Sequence, residues 1–102
     1  MVRRGEVYWV KLDPSKGTEI RKTRPALVIS PYDMNSILPR VIVAPLTSKG
    51  QPLGCRPEVH FQRKRARILL DQLRSIDKVR LGDRLGKIDL EFWHPRLLEM
   101  LA

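Results

Sequence analysis

The sequence predicts a small, mainly β barrel closed by a C-terminal helix. Three observations point there. Apolar, β-branched runs recur, among them Ala26-Leu27-Val28-Ile29 and Val41-Ile42-Val43-Ala44-Pro45-Leu46, each short and bounded by turn residues. Such runs read as buried strands. They succeed one another quickly, which is the signature of a barrel rather than an open sheet. After Asp89 the pattern changes to that of a helix. A chain of 102 residues fits one domain, 1–102, with a modest core.

In order, Gly5 to Leu12 alternates and forms the first predicted strand, with Tyr8 and Trp9 on opposite faces. Asp13 to Thr23 is a polar loop containing Pro14 and Gly17, long enough to be functional. The second strand runs from Pro25 to Ser30. Pro31-Tyr32-Asp33-Met34-Asn35 is expected to make one helical turn, with Ser30 as N-cap and Pro31 at its first position. The third strand ends at Leu46, and Pro45 within it suggests an edge or a bulge. Ser48 to Pro57 is a loop. Glu58 to Phe61 and Ala66 to Leu70 are read as a hairpin across Gln62-Arg63-Lys64-Arg65. Arg74-Ser75-Ile76 is a further short strand. In the closing helix, Asp89 is the expected cap, and Pro95 should either kink the helix or restart it at His94-Pro95.

The net charge of +9 is unevenly spread. Residues 1–24 and 56–67 each carry an excess of +4, whereas 68–102 is neutral. An anionic partner, nucleic acid or an acidic peptide, is therefore expected. The basic stretches hold few aromatics, so stacking platforms are not evident in them. The single Cys55 excludes an intrachain disulfide and a cysteine-rich zinc site, in keeping with a reducing cytoplasm. The first residues lack the apolar core of a signal peptide, and no run has the length of a membrane span.

Arg24 stands directly before one apolar run, and Thr47-Ser48 ends the other. If the two strands pair antiparallel, the start of one lies near the end of the other. Arg24 and Thr47 would then meet at one rim, where a guanidinium beside a hydroxyl can bind a phosphate and stabilise charge on it. The histidines, His60 and His94, fall on different predicted elements. Asp71, Asp77, Asp83 and Asp89 recur every six residues, but as separate turn and cap residues. No spacing suits a metal, and no cofactor is expected.

Five blocks in order resemble the MazF/PemK toxins, small bacterial ribonucleases of toxin–antitoxin pairs. They are Arg4-Gly5-Glu6-Val7-Tyr8-Trp9-Val10, Leu12-Asp13-Pro14-Ser15-Lys16-Gly17-Thr18-Glu19, Thr23-Arg24-Pro25-Ala26-Leu27-Val28-Ile29-Ser30, Val43-Ala44-Pro45-Leu46-Thr47-Ser48, and Leu70-Asp71-Gln72-Leu73-Arg74-Ser75-Ile76-Asp77. The resemblance implies an SH3-like small barrel, and it supports a strand through Leu81, Leu85 and Ile88. It implies a sequence-specific, metal-independent endoribonuclease acting on single-stranded RNA. The adjacent 2′-hydroxyl would attack, leaving a 2′,3′-cyclic phosphate and a 5′-hydroxyl.

Arg24 and Thr47 match the family's catalytic arginine and threonine. Guanidinium groups do not give up a proton in proteins, so electrostatic stabilisation is the role expected first for Arg24. Asp71 matches an aspartate that the PemK branch uses as a base. That branch has an arginine where this chain has Leu69 and a histidine where it has Thr18, so its acid–base assignment does not transfer whole. Lys16, Gly17, Thr18, Glu19, Ser48 and Gln72 are the expected RNA-binding residues. The resemblance also implies a cytoplasmic homodimer neutralised by an antitoxin with an acidic tail, which suits a basic toxin. The rival readings are a non-catalytic toxin of the same fold that binds a protein target such as gyrase, or a basic RNA-binding module.

Overall fold

The computed structural model describes residues 1–12 and 23–102. Among them, seven strands form one curled sheet with a C-terminal helix, the architecture anticipated. The strands are β1 (Glu6–Lys11), β2 (Thr23–Val28), β3 (Arg40–Thr47), β4 (Glu58–Phe61), β5 (Lys64–Ile68), β6 (Arg74–Asp77) and β7 (Leu81–Lys87). The order is β4-β5-β3-β2-β1-β7, and β6 pairs with β3. Helix α1 (Tyr32–Ile37) joins β2 to β3, and α2 (His94–Leu101) closes the chain. None of these helices is long and apolar enough to cross a membrane.

Apolar residues line both faces of the sheet because its strands alternate. Val7, Leu27, Ala44, Leu46, Val59, Ile68 and Leu70 pack with Trp93 and Leu97 beneath α2. Val10, Ala26, Val28, Val41, Val43 and Ile76 form the second cluster. Trp93 is fully buried, and its indole N–H donates to the Ile88 carbonyl at 3.3 Å. Gly5 ties the sheet together at one corner. Its N–H donates to Val28 (2.9 Å), and its carbonyl accepts from Ile88 (2.8 Å). Its φ is +90°, and a Cβ there would stand 3.1 Å from the Ile88 carbonyl oxygen, so both backbone and space call for glycine.

Several expectations need correction. β2 begins at Thr23, two residues early, because Thr23 and Arg24 pair with Lys11 and Val10. Pro45 is on no edge: it lies where one side of β3 passes from β6, paired to Arg40–Val43, to β5, paired to Leu46 and Thr47. The missing N–H is tolerated at that change of partner, and the Pro45 carbonyl accepts from Leu69 (2.8 Å). The β4–β5 turn is only Gln62-Arg63, with φ values of 52° and 67°. Two left-handed residues make a type I′ connection, here without its usual Asn-Gly. Asp89 precedes a separate 3-10 turn, Leu90–Phe92. Of the two outcomes open for Pro95, restarting the helix is the one observed: Pro95 sits in the first turn of α2, where an N–H is not needed.

Ser30 is not the cap of α1; Pro31 holds that position. Ser30 is instead buried with Asn35. Its hydroxyl donates to Asn35 Oδ1 and accepts from the Ile42 N–H (3.0 Å), while Asn35 Nδ2 donates to the Ser30 (2.9 Å) and Val2 (3.2 Å) carbonyls. Asn35→Ala strands these groups without water, so a loss of about 1–3 kcal/mol in unfolding free energy is expected. A urea titration checks it; a midpoint equal to that of the unmodified protein would refute it.

Candidate active site

β2 and β3 pair antiparallel with Ala26 opposite Pro45. Continued two residues outward, that register sets Arg24 opposite Thr47. Both residues lie inside strands, Arg24 held by Val10 of β1 and Thr47 by Arg67 of β5. Their backbones are therefore fixed by ladders on the far side from each other, which suits a preorganised site.

Arg24 and Thr47 line one open cleft of about 470 Å³. Trp9 and Pro25 join Arg24 on one side; Phe61, Gln62, Lys64, Arg65 and Ala66 come from the β4–β5 hairpin; Leu46, Ser48 and Lys49 flank Thr47. Four cations and no carboxylate are among these residues, which concentrates positive potential there. Arg24 is half-buried and makes no hydrogen bond or ion pair with the described residues, so its donors are available. The Thr47 hydroxyl accepts from the Lys49 N–H at 3.2 Å, leaving its own O–H to donate elsewhere.

Arg24 thus shares one cleft with Lys64 and Arg65 of the second basic stretch. Aromatic surface is present too: Trp9 is 39% exposed and Phe61 is half-buried. Phe61 reaches its place because β7 carries Gly86, where a Cβ would come within 3.0 Å of the ring. Gln62 donates to the Leu85 carbonyl (3.3 Å). These contacts, rather than a strand ladder, bring the β4–β5 hairpin against β7. Sequence reading missed Trp9, Lys49 and Phe61, whereas Lys64 and Arg65 belong to a basic stretch already expected to face an anionic partner. For these the tandem aromatics Tyr8-Trp9 were the one local signal; Phe61 and Lys49 reach the cleft through long-range pairing.

Ser48 lies in the cleft as expected. Lys16, Gly17, Thr18 and Glu19 lie outside the described residues. Asp71 and Gln72 belong to a 3-10 turn, Leu70–Gln72, whose residues do not line the cleft. Asp71 accepts both hydrogen bonds of the Arg56 fork, at 3.0 and 2.9 Å. That bidentate bond, outweighing desolvation and aided by the guanidinium charge, holds its carboxyl below the ordinary range. His60 is exposed on β4 and His94 sits edge-on to Trp93, and no cavity described holds both. Of the four spaced aspartates, Asp77 caps the 3-10 turn Lys78–Arg80 and Asp83 lies within β7 rather than in a turn.

A second carboxylate is shifted on the β1–β7 face. Burial works against ionisation of Glu6. Hydrogen bonds from Arg84, the Arg3 N–H and Tyr8, with the charge of Arg84, outweigh it and lower the pKa. The Glu6–Arg84 bond is 2.6 Å. Both lowered carboxylates contribute stability that is complete above their unfolded values, about 4, and is lost as pH falls through their lower folded values. Glu6→Gln is expected to reduce the thermal midpoint at pH 7 and to flatten its fall between about pH 5 and 2. Parallel midpoint-versus-pH curves for the two proteins would contradict this.

Residues 3–94 match the family model described as PemK-like, MazF-like toxin of type II toxin–antitoxin system. The chain is 38% identical over 97 residues to endoribonuclease EndoA of Bacillus subtilis, covering 89% of this chain and 84% of that protein. Among solved structures it resembles MazF of Deinococcus radiodurans, with TM-score 0.80 and 24% identity over 98% of this chain and 96% of that one. It also resembles a mycobacterial endoribonuclease in complex with its cognate antitoxin, with TM-score 0.74 and 21% identity over 100% and 92%. At these identities the two structures speak to the fold alone, whereas the family model and EndoA match the sequence itself. With that coverage, the chain belongs to the PemK-like, MazF-like toxins of type II toxin–antitoxin systems.

Proposed function

We propose that this protein is a metal-independent endoribonuclease that cuts single-stranded RNA at a short preferred sequence. The observation that carries the reading is the convergence of Arg24 and Thr47 in one cationic cleft. A 2′-hydroxyl attacks the adjacent phosphorus: its proton leaves to water as the P–O2′ bond forms, and the P–O5′ bond breaks as the departing 5′-oxygen takes up a proton from water. The products are a 2′,3′-cyclic phosphate and a 5′-hydroxyl. The Arg24 fork and the Thr47 O–H donate to the non-bridging oxygens, whose charge grows in the phosphorane. Lys49, Lys64 and Arg65 hold neighbouring phosphates, and Trp9 offers a face on which a base can stack.

Kinship with EndoA, itself named an endoribonuclease, supports the activity. The toxin acts as a homodimer and is neutralised by an antitoxin whose acidic tail occupies the basic cleft; a mycobacterial structural neighbour is in complex with its cognate antitoxin. Binding of uncleavable single-stranded RNA should weaken with salt, log K falling by about 0.7 per phosphate neutralised for each decade of salt. The deciding experiment is incubation with a long single-stranded RNA in EDTA, with fragment ends mapped. Discrete cuts bearing cyclic phosphates support the proposal. Intact RNA after treatment with folded, antitoxin-free protein would overturn it in favour of a protein-binding toxin.

A further inference from the structure

We infer that Asp71 is a positioning residue: through Arg56 it holds the turn that follows β3 and thereby sets the Thr47 hydroxyl. The inference rests on the proposed role of Thr47 in the cleft.

The connection is a chain of contacts. Asp71 takes both N–H groups of the Arg56 fork (3.0 and 2.9 Å), a geometry that fixes the guanidinium plane as well as its position. The Arg56 main chain is tied down independently. Its N–H donates to Leu53 (2.9 Å), and its carbonyl accepts from Arg67 Nη1 (3.0 Å). Arg67 in turn is the β5 residue opposite Thr47.

The guanidinium also borders the turn after Thr47, near Gly50. A Cβ placed on Gly50 would stand 3.8 Å from Arg56 Nη1 and 3.7 Å from Thr47 Cγ2. The space on the Cβ side of Gly50, whose φ is +120°, is therefore bordered by both the guanidinium and the threonine methyl. Lys49, the preceding residue of that turn, gives its N–H to the Thr47 hydroxyl at 3.2 Å. If the fork swings away, the space beside Gly50 opens, the turn gains room to shift, and the Lys49 N–H that orients the hydroxyl moves with it. A carboxylate with both oxygens engaged by a guanidinium is also poorly placed to accept a proton from a 2′-hydroxyl.

The test combines methyl NMR with kinetics. In Asp71→Asn and Arg56→Gln, the Thr47 methyl resonance should shift alike. Each should lower kcat about ten- to a hundredfold, as expected for a misplaced catalytic group, with KM little changed. The double variant should be no worse than either single one, and the pH–rate profile should keep its shape. The exchanged pair, Arg56→Glu with Asp71→Arg, should recover part of the rate and the methyl position. An unmoved methyl in both single variants would overturn the inference. So would an active Arg56→Gln beside an Asp71→Asn that has lost both cutting and the acid limb of its profile, the result expected of a base. The methyl readout does not depend on cleavage. If it shifts as described while the unmodified protein leaves RNA intact, the ribonuclease reading fails and the link from Asp71 to Thr47 stands.

Discussion

Arg24→Ala is expected to slow RNA cleavage by at least about 10²–10³-fold, the usual cost of removing one donor aimed at developing charge. The thermal midpoint should scarcely change. Its side chain has no hydrogen bond or ion pair with the described residues, and the strand that carries it is paired on both sides. Arg24→Lys keeps the charge but replaces a planar fork by a point charge. An intermediate rate is expected, and near-normal cutting by the lysine variant would remove the argument from the fork. Single-turnover rates with saturating RNA distinguish these outcomes from a mere loss of affinity. A fall confined to KM would reassign Arg24 to binding.

Trp93→Ala should be the most damaging substitution for stability. The residue is fully buried and packs among Val7, Leu27, Ile68 and Leu97, where it joins α2 to the sheet. Truncating a buried Trp to Ala costs about 3–5 kcal/mol, a large share of the roughly 5–15 kcal/mol that holds a domain folded. Trp93→Phe keeps much of the packing and loses the bond to Ile88, so its cost should be nearer 1–2 kcal/mol, an order-of-magnitude figure from net hydrogen-bond values. Urea unfolding followed by far-UV circular dichroism measures both. A loss below about 1 kcal/mol for the alanine variant would mean that α2 contributes little to the core.

The meeting of Arg24 and Thr47 was legible because it needs only two apolar strands and an antiparallel register. Every strand but β7 was also expected from its local pattern; the glycines and charges of β7 hide it, and only the family resemblance supported it. What local reading could not reach was set by distant partners. Thr23 and Arg24 count as strand because β1 lies beside them. Lys64 and Arg65 look like a turn because their side chains face solvent, although their backbones pair with Phe61 and His60. Ser30 precedes a proline in the manner of a cap, but burial directs its hydroxyl to Asn35 and Ile42. Asp71 reads as a free carboxylate until Arg56, fifteen residues earlier, is seen to occupy it.

β3 is the strand on which three others converge: β2 along one side, β5 and β6 in succession along the other. A chain still being synthesised can form the β1–β2 pair early, but it has no cleft until the β4–β5 hairpin has emerged, since the walls draw on residues from Trp9 to Ala66. Pairings of that sequence separation form slowly, in the millisecond to second range for comparable β-rich domains. The cleft proposed for cleavage is therefore complete only once the chain as far as Ala66 has been made and docked.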